Sequence, residues 1–267
     1  MDINDLSIRP IKPLEIKDND SYHPHLPSIK RNSGSLILLV GTTNSGKTTL
    51  INNLLLNSNM WGRKPKATSG PFSKVYMFSP SLYLDDSCRF LVEFFDCYTD
   101  YEQIDSVVEG IKSYQLSIPK EKREKLMMVL DDSVGLIERN SNVNYLATRF
   151  RHLNMNMIMS VQSFKGCSPV MRTNSNYLIL MNGICNTAEL SKINDEFGDL
   201  FKGTLLYCYS KYAKNKYDFI SCKTRENPAV MYDGFGTEIK WKKHIKEAKN
   251  YKFEDDFGGS DEEDETL

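Results

Sequence analysis

Short apolar runs, each closed by a polar turn, recur along the chain: Leu36–Val40 behind Ser35, Lys74–Phe78, Leu126–Leu130, Met155–Val161 and Tyr177–Met181. Runs of this length that are apolar on successive residues predict strands covered on both faces. Between them the apolar spacing becomes helical. It predicts helices over Lys47–Leu56, Leu82–Phe95, Tyr101–Gln115 (through Ile104, Val107, Val108 and Ile111), Asn142–Leu153, and one beginning after Asn186-Thr187. Two later runs, Leu205–Tyr209 and Tyr217–Ser221, read as further strands. Strands alternating with helices predict an α/β fold: a mainly parallel sheet flanked by helices on both faces.

The flanks break this pattern. Residues 1–33 are polar, carry Pro10, Pro13, Pro24 and Pro27, and predict an extended arm. The organisation expected is an arm over 1–33, a core domain over 34–225, a basic segment over 226–253 and an acidic disordered tail over 254–267. A net charge of −1 hides that last contrast, because Lys240–Lys252 is densely basic while Glu254–Leu267 carries acidic charges only. The 40 % hydrophobic content of the 267 residues suffices for one large core. Six cysteines without a C-x-x-C pair predict reduced thiols packed as small hydrophobes. The N-terminus lacks a signal-peptide pattern, and no run approaches the ~18 apolar residues of a membrane span. The expectation is a soluble protein, not inserted in a membrane and not secreted.

Gly41-Thr42-Thr43-Asn44-Ser45-Gly46-Lys47-Thr48 fits G-x-x-x-x-G-K-[ST], between an apolar strand and a helix. In such a loop glycines let backbone N–H groups point at phosphate oxygens, and the helix N-terminus adds positive potential. Gly41 to Gly46, with Lys47, Thr48 and Thr49, are therefore the expected nucleoside-triphosphate site. Lys47 reaches the β- and γ-phosphates and the Thr48 hydroxyl ligates Mg²⁺. Asp131 and Asp132 directly follow the apolar run Leu126–Leu130, where ionised groups need a reason to stand. Asp131 is assigned to Mg²⁺ through a water and Asp132 to orienting or deprotonating the attacking water. Gln162 ends Met155–Val161 and is assigned to the γ-phosphate or the water. Arg149, Arg151 and Arg172 lie near that strand, where a neighbouring subunit could present a guanidinium to the γ-phosphate.

Three other readings compete. Asp132-Ser133-Val134-Gly135 fits the D-x-x-G of a switch GTPase, though no Asn-Lys-x-Asp follows. A nucleotide kinase would share the loop. An NTP-binding assembly factor without turnover would use occupancy alone.

The series Gly41–Thr48, Val75-Tyr76-Met77-Phe78-Ser79-Pro80, Leu130-Asp131-Asp132, Phe150-Arg151-His152-Leu153-Asn154 leading to Val161-Gln162, and Met171-Arg172-Thr173-Asn174 resembles a known family. It is that of the genome-packaging ATPases of large DNA viruses and virophages, the poxvirus type, within the FtsK–HerA superfamily of P-loop NTPases. The resemblance covers about residues 35–200. It implies a RecA-like core that assembles as a ring, a hexamer, and hydrolyses ATP with Mg²⁺ at subunit boundaries. There an arginine of one subunit, Arg151 or Arg172, completes the neighbour's site. It further implies double-stranded DNA as the translocated partner, a preformed capsid or vertex protein as the docking partner, and action in the host cytoplasm, at the viral factory, and in the virion. Many members carry glutamate where Asp132 stands. For phosphate contacts that ignore base sequence, Arg63, Lys64 and Lys66 form one patch. Lys240, Lys242, Lys243, Lys246 and Lys249 form another, with Trp241 as a stacking aromatic.

Overall fold

A strand that is apolar on every residue must be sandwiched, and the chain achieves this with one sheet. The computed structural model describes residues 23–29, 34–63, 70–84, 86–132 and 140–252. Its strands are β1 (Leu36–Val40), β2 (Lys74–Phe78), β3 (Asp96–Tyr98), β4 (Leu126–Leu130), β5 (Met155–Val161), β6 (Tyr177–Met181), β7 (Phe219–Lys223), β8 (Val230–Asp233) and β9 (Thr237–Ile239). The helices are α1 (Lys47–Leu56), α2 (Asp86–Arg89), α3 (Ile104–Ser117), α4 (Ser141–Arg149), α5 (Pro169–Asn174), α6 (Thr187–Phe197), α7 (Leu205–Tyr212) and α8 (Ile245–Ala248).

Across the sheet the order is β3-β2-β4-β5-β1-β6-β7-β8-β9. The first six in that order run parallel, and β7, β8 and β9 add antiparallel. Val40 pairs level with Val161 and Leu180, and Leu130 with Met159. The C-terminal ends of β1, β4 and β5 therefore open on one edge, with β5 between the other two.

Successive side chains of β1 alternate between two cores. Ile37 and Leu39 meet α1 through Leu50, Ile51 and Leu54, together with Leu26, Ile29 and Trp61. Leu36, Leu38 and Val40 face the other core, with Val108 of α3, Leu146 of α4, Ile193 of α6 and Leu205 of α7. Each fully buried Leu or Ile contributes about 1.5–3 kcal/mol of transfer free energy. Side chains stop the helices from fraying at their starts. Asn140 accepts from Val143 N–H, Ser168 from Met171 N–H just before Pro169, and Asn186 from Ala188 and Glu189 N–H.

Several expectations change. Leu205–Tyr209 is helical, as part of α7, because Leu205, Leu206, Cys208 and Tyr209 bury one face at helical spacing. The run holds no β-branched residue to favour a strand. Leu82–Phe95 breaks into α2 and a 3₁₀ turn at Phe90–Glu93. The helix expected to reach Leu153 stops at Arg149 and runs on as turns to Asn154, whose left-handed φ of 49°, tolerated by asparagine, ends them. The strand expected from Tyr217 starts at Phe219, because Tyr217 is itself left-handed at φ 73°. The sheet runs on past residue 225, where Met231 pairs with Cys222 and Ile239.

Residues 23–29 lie over the β7–β8 side of the sheet. Tyr177 Oη donates to His25 O, and the His25 ring stacks on Tyr232 with centroids 4.1 Å apart. Cys88, Cys167, Cys208 and Cys222 are buried, Cys97 is half-buried and Cys185 exposed. Burial pushes the Cys97 and Cys208 thiols up to about 11. Among the described residues no helix is long and apolar enough to cross a membrane. The rest of the arm, Lys64, Lys66, Ser133-Val134-Gly135 and the acidic tail lie outside the described residues.

Tyr209 fixes α7 in register: its hydroxyl donates to Met181 O at 2.9 Å and accepts from Ile184 N–H at 3.1 Å. Tyr209→Phe leaves both backbone groups without that partner and should lower unfolding free energy by about 1–3 kcal/mol in a denaturant titration. Unchanged stability would contradict this placement of α7.

Candidate active site

β1 ends against its neighbour before the chain turns, as Gly41 N–H donates to Val161 O at 3.1 Å. The loop then doubles back through Asn44 at φ 60° and Gly46 at φ 91°. Glycine is required at both ends by space, and at Gly46 by angle as well. A Cβ on Gly41 would lie 2.6 Å from Ser45 Oγ and 2.7 Å from Met181 Cβ, and one on Gly46 2.9 Å from Tyr217 Cδ1. α1 begins directly afterwards with no side chain capping its first amides. An anion in the loop would meet unpaired N–H groups and the positive end of the helix.

Lys47 is 8 % exposed and folds over the loop, donating to Gly41 O at 2.7 Å and Thr42 O at 2.8 Å. Burial lowers its pKa, while Asp131 and Asp132 pull it back up. The Thr48 hydroxyl donates to Asp131 Oδ2 at 3.0 Å. Asp131 is held on the backbone as well. Its N–H donates to Phe78 O at 2.8 Å, and its carbonyl accepts from Tyr101 Oη at 2.7 Å.

Only 1 % of Asp131 is exposed. Burial pushes its carboxyl above the usual range, opposed by the hydroxyls of Ser160 and Thr48 and by the Lys47 ammonium. Its second oxygen, Oδ1, and the Ser160 Oγ each lack a hydrogen bond of normal geometry, so Ser160 favours the ionised carboxylate by proximity alone. A buried carboxylate oxygen left unmet is unfavourable unless a cation or water meets it. The Thr48 hydroxyl and the Asp131 carboxylate are hard oxygen donors, so the pair fits Mg²⁺. That ion is commonly held by one or two protein oxygens together with substrate phosphates.

Asp132 follows at φ 51°, a left-handed conformation that turns it away from the line of β4. Its Oδ1 accepts from Gln162 Nε2 at 2.5 Å, and Gln162 Oε1 accepts from Thr43 Oγ1 at 3.0 Å. The amide orientation is the one that satisfies both neighbours. Because β5 lies between β1 and β4, the ends of those two strands stand about 9–10 Å apart in the sheet. Gln162 spans that gap. The segment after it is braced by Glu189 of α6, which accepts from Ser163 Oγ at 2.8 Å, Phe164 N–H at 2.8 Å and Lys165 N–H at 3.2 Å.

The arginines fare differently. Arg172 serves its own fold: Nη1 donates to Cys167 O at 2.9 Å, Nε lies 3.2 Å from Glu196, and the guanidinium covers Phe164. Arg151 is exposed, with its guanidinium 5.1 Å from the Phe150 ring centre. It precedes β5, whose seven residues carry the chain about 23 Å to Gln162. Arg149, over Tyr145, lies at the same end. Neither is brought to the phosphate loop of its own chain. The His152-Leu153-Asn154 stretch is a clamp, with Gln115 Nε2 donating to Leu153 O at 3.0 Å and Asn154 Nδ2 to Arg123 O at 3.0 Å.

Tyr101, Ser160 and Glu189 are site residues that the sequence reading passed over. Ser160 had a signal, being polar inside an apolar strand. Glu189 had one too, three residues after a capping Asn. Tyr101 had none. Trp241 corrects an expectation, for it is 5 % exposed, donates its indole N–H to Ala229 O at 2.9 Å and packs edge-on against Phe201. It cannot stack on a base. Lys242, Lys243, Lys246 and Lys249 are exposed, as is Arg63, and Lys240 pairs with Glu238.

No protein-family model matches the chain, and no curated protein matches it by sequence. Solved structures do share its fold. It is similar to the genome-packaging NTPase B204 of Sulfolobus turreted icosahedral virus 2 in complex with sulfate. That likeness has a TM-score of 0.54 and 13 % identity, over 74 % of this chain and 96 % of that one. With AMPPCP bound, the same NTPase gives a TM-score of 0.51 and 12 % identity, over 74 % and 97 %. The pCW3 conjugation coupling protein TcpA with ATPγS gives 0.53 and 15 %, over 76 % of this chain and 61 % of that one. The chain thus has the α/β P-loop NTPase fold of these proteins.

The raised Asp131 carboxyl means that the folded protein binds more protons than the unfolded chain across the window between the two pKa values. Stability falls as pH rises through that window. Lys47 is bonded to carbonyls, so Asp131→Asn removes a buried charge without breaking an ion pair. The ligand-free variant should melt higher than wild type at pH 7, the gap closing below the usual carboxylate range. A lower melting temperature at pH 7 would contradict the burial argument.

Proposed function

We propose that the chain is an ATP-driven DNA translocase that packages viral double-stranded DNA into a preformed capsid. It hydrolyses ATP at the subunit interfaces of a ring, a hexamer of identical chains. The observation that carries the hydrolysis is the bonded series Thr43–Gln162–Asp132 lying beside Thr48–Asp131. A loop that only bound nucleotide would have no use for a carboxylate wired to it through an amide. The fold shared with a genome-packaging NTPase and a conjugation coupling protein supports the motor.

Backbone amides from Gly41 to Thr49 hold the phosphates. Lys47 exchanges two carbonyl partners for β- and γ-phosphate oxygens, so its charge is already desolvated and aimed. Thr48 and Asp131 would hold Mg²⁺, which when bound neutralises phosphate charge as the β–γ bridge breaks. Asp132 takes the proton of the water that attacks the γ-phosphorus, through the oxygen that Gln162 leaves free. Gln162 fixes that carboxylate and, through Thr43, couples it to the loop. Arg151, exposed and a strand length from its own loop, acts on the neighbour's γ-phosphate. Arg172, committed to Glu196 and Cys167, holds α5 in place.

The partners of this reading are duplex DNA, further copies of the chain, and a capsid or vertex protein. The setting is the host cytoplasm, at the viral factory, and the virion. Lys242, Lys243, Lys246 and Lys249 offer exposed charges for sequence-independent phosphate contacts, which permit movement along the duplex.

Lys47→Ala should abolish ATP binding in a calorimetric titration. Asp132→Asn should keep binding and lose about 10²–10⁴-fold in turnover. Full activity in both variants would contradict the assignment. Neither Lys47→Ala nor Arg151→Ala should hydrolyse ATP alone, and mixing them should restore part of the rate. Absence of rescue would remove Arg151 from the interface.

A further inference from the structure

The catalytic groups all stand on one side of the phosphate loop. Gln162, Asp131 and Asp132 close β5 and β4, which lie to one side of β1, whereas β6 and β7 lie to the other. A triphosphate whose terminal phosphate meets Lys47, Thr48 and Asp132 must send its ribose and base towards that second side. The feature found there is Tyr217.

Tyr217 belongs to the turn between α7 and β7, which is tied to the loop's flank. Asn182, just after β6, donates its N–H to Asp218 O at 2.8 Å and its Nδ2 to Ala213 O at 2.5 Å. Asp218 closes the turn by accepting from Asn215 N–H at 2.9 Å and Nδ2 at 2.7 Å. Within this pinned turn Tyr217 takes φ 73°, a conformation in which a bulky side chain is strained. No burial offsets that strain, because the residue is 56 % exposed. Its Cδ1–Cε1 edge lies against Gly46, and Lys216 Nζ stands 4.9 Å from the ring centre. Strained backbone conformations cluster at active sites and ligand clamps.

We propose that Tyr217 is the base-binding residue of the nucleotide site, its exposed ring stacking on the nucleobase while Gly46 sets its distance from the phosphates. This rests on the triphosphate-binding reading above. Stacking needs only a π-face, so the subsite takes the base by shape and not by hydrogen-bond pattern.

The test titrates the full chain with ATP and with inorganic tripolyphosphate, both with Mg²⁺, for wild type, Tyr217→Phe and Tyr217→Gly. The Phe variant should bind ATP within about twofold of wild type, since the ring is kept. The Gly variant should lose about tenfold or more in ATP affinity while keeping tripolyphosphate affinity. It should also melt no lower than wild type, because glycine accepts φ 73° without strain. A Gly variant that binds ATP like wild type, or that loses both ligands in parallel, overturns the proposal and leaves the phosphate site standing. Wild type that binds neither ligand would overturn the phosphate site itself, and this proposal with it.

Discussion

A carboxylate buried at the end of a sheet strand sets the terms for everything around it. Asp131 sits at 1 % exposure with one oxygen on Thr48 and the other unmet. Its main chain is fixed as well, its N–H donating to Phe78 O and its carbonyl accepting from Tyr101 Oη. Such a group is tolerated where a cation is due to arrive, and the nearest one, Lys47, is already bonded to loop carbonyls. The Thr48–Asp131 bond is also mechanical, because it ties the first turn of α1 to the end of β4 across the intervening β5. The site is therefore built in advance and needs little reorganisation to receive a charged ligand.

Strand order does the remaining positioning. Placing β5 between β1 and β4 leaves a gap that one glutamine side chain spans, so the loop, Gln162 and Asp132 form a single bonded unit. In the proposed reading the same edge divides the ligand's path, with Asp131, Asp132 and Gln162 on the β5 side and Tyr217 on the β6–β7 side. At the opposite end of β5, Arg151 is out of reach of its own site. In the proposed ring, Asp132 at one end of the sheet and Arg151 at the other would meet by head-to-tail repetition.

The central strands were legible in the sequence because each is largely buried and largely apolar, with Lys74, Asn156 and Ser160 as exceptions. β2, β4, β5 and β6 begin and end where the apolar runs do. The phosphate loop was legible because its glycines answer to local sterics. α7 was not, since Leu205–Tyr209 is apolar on consecutive residues and its period is hidden. The antiparallel additions β8 and β9 are short and half-exposed, and their pairing depends on long-range partners. Arg151-His152-Leu153-Asn154 stood out as a motif, yet most of it acts as a clamp on β4. What escaped the sequence in the site was support from a distance: the Tyr101 hydroxyl under Asp131, Glu189 bracing the segment after Gln162, and the strained Tyr217. Each depends on which loop lies beside which, and no local pattern encodes that.

Under the proposed function, ATP hydrolysis by this chain is coupled to movement on DNA. The most direct test is the steady-state ATPase rate of the full chain with Mg²⁺, with and without duplex DNA of unrelated sequences. The account predicts a several-fold rise with any duplex, fading as salt is raised because the contacts are to phosphates. ATP hydrolysis that proceeds at the same rate with and without duplex DNA, at low salt, would contradict it.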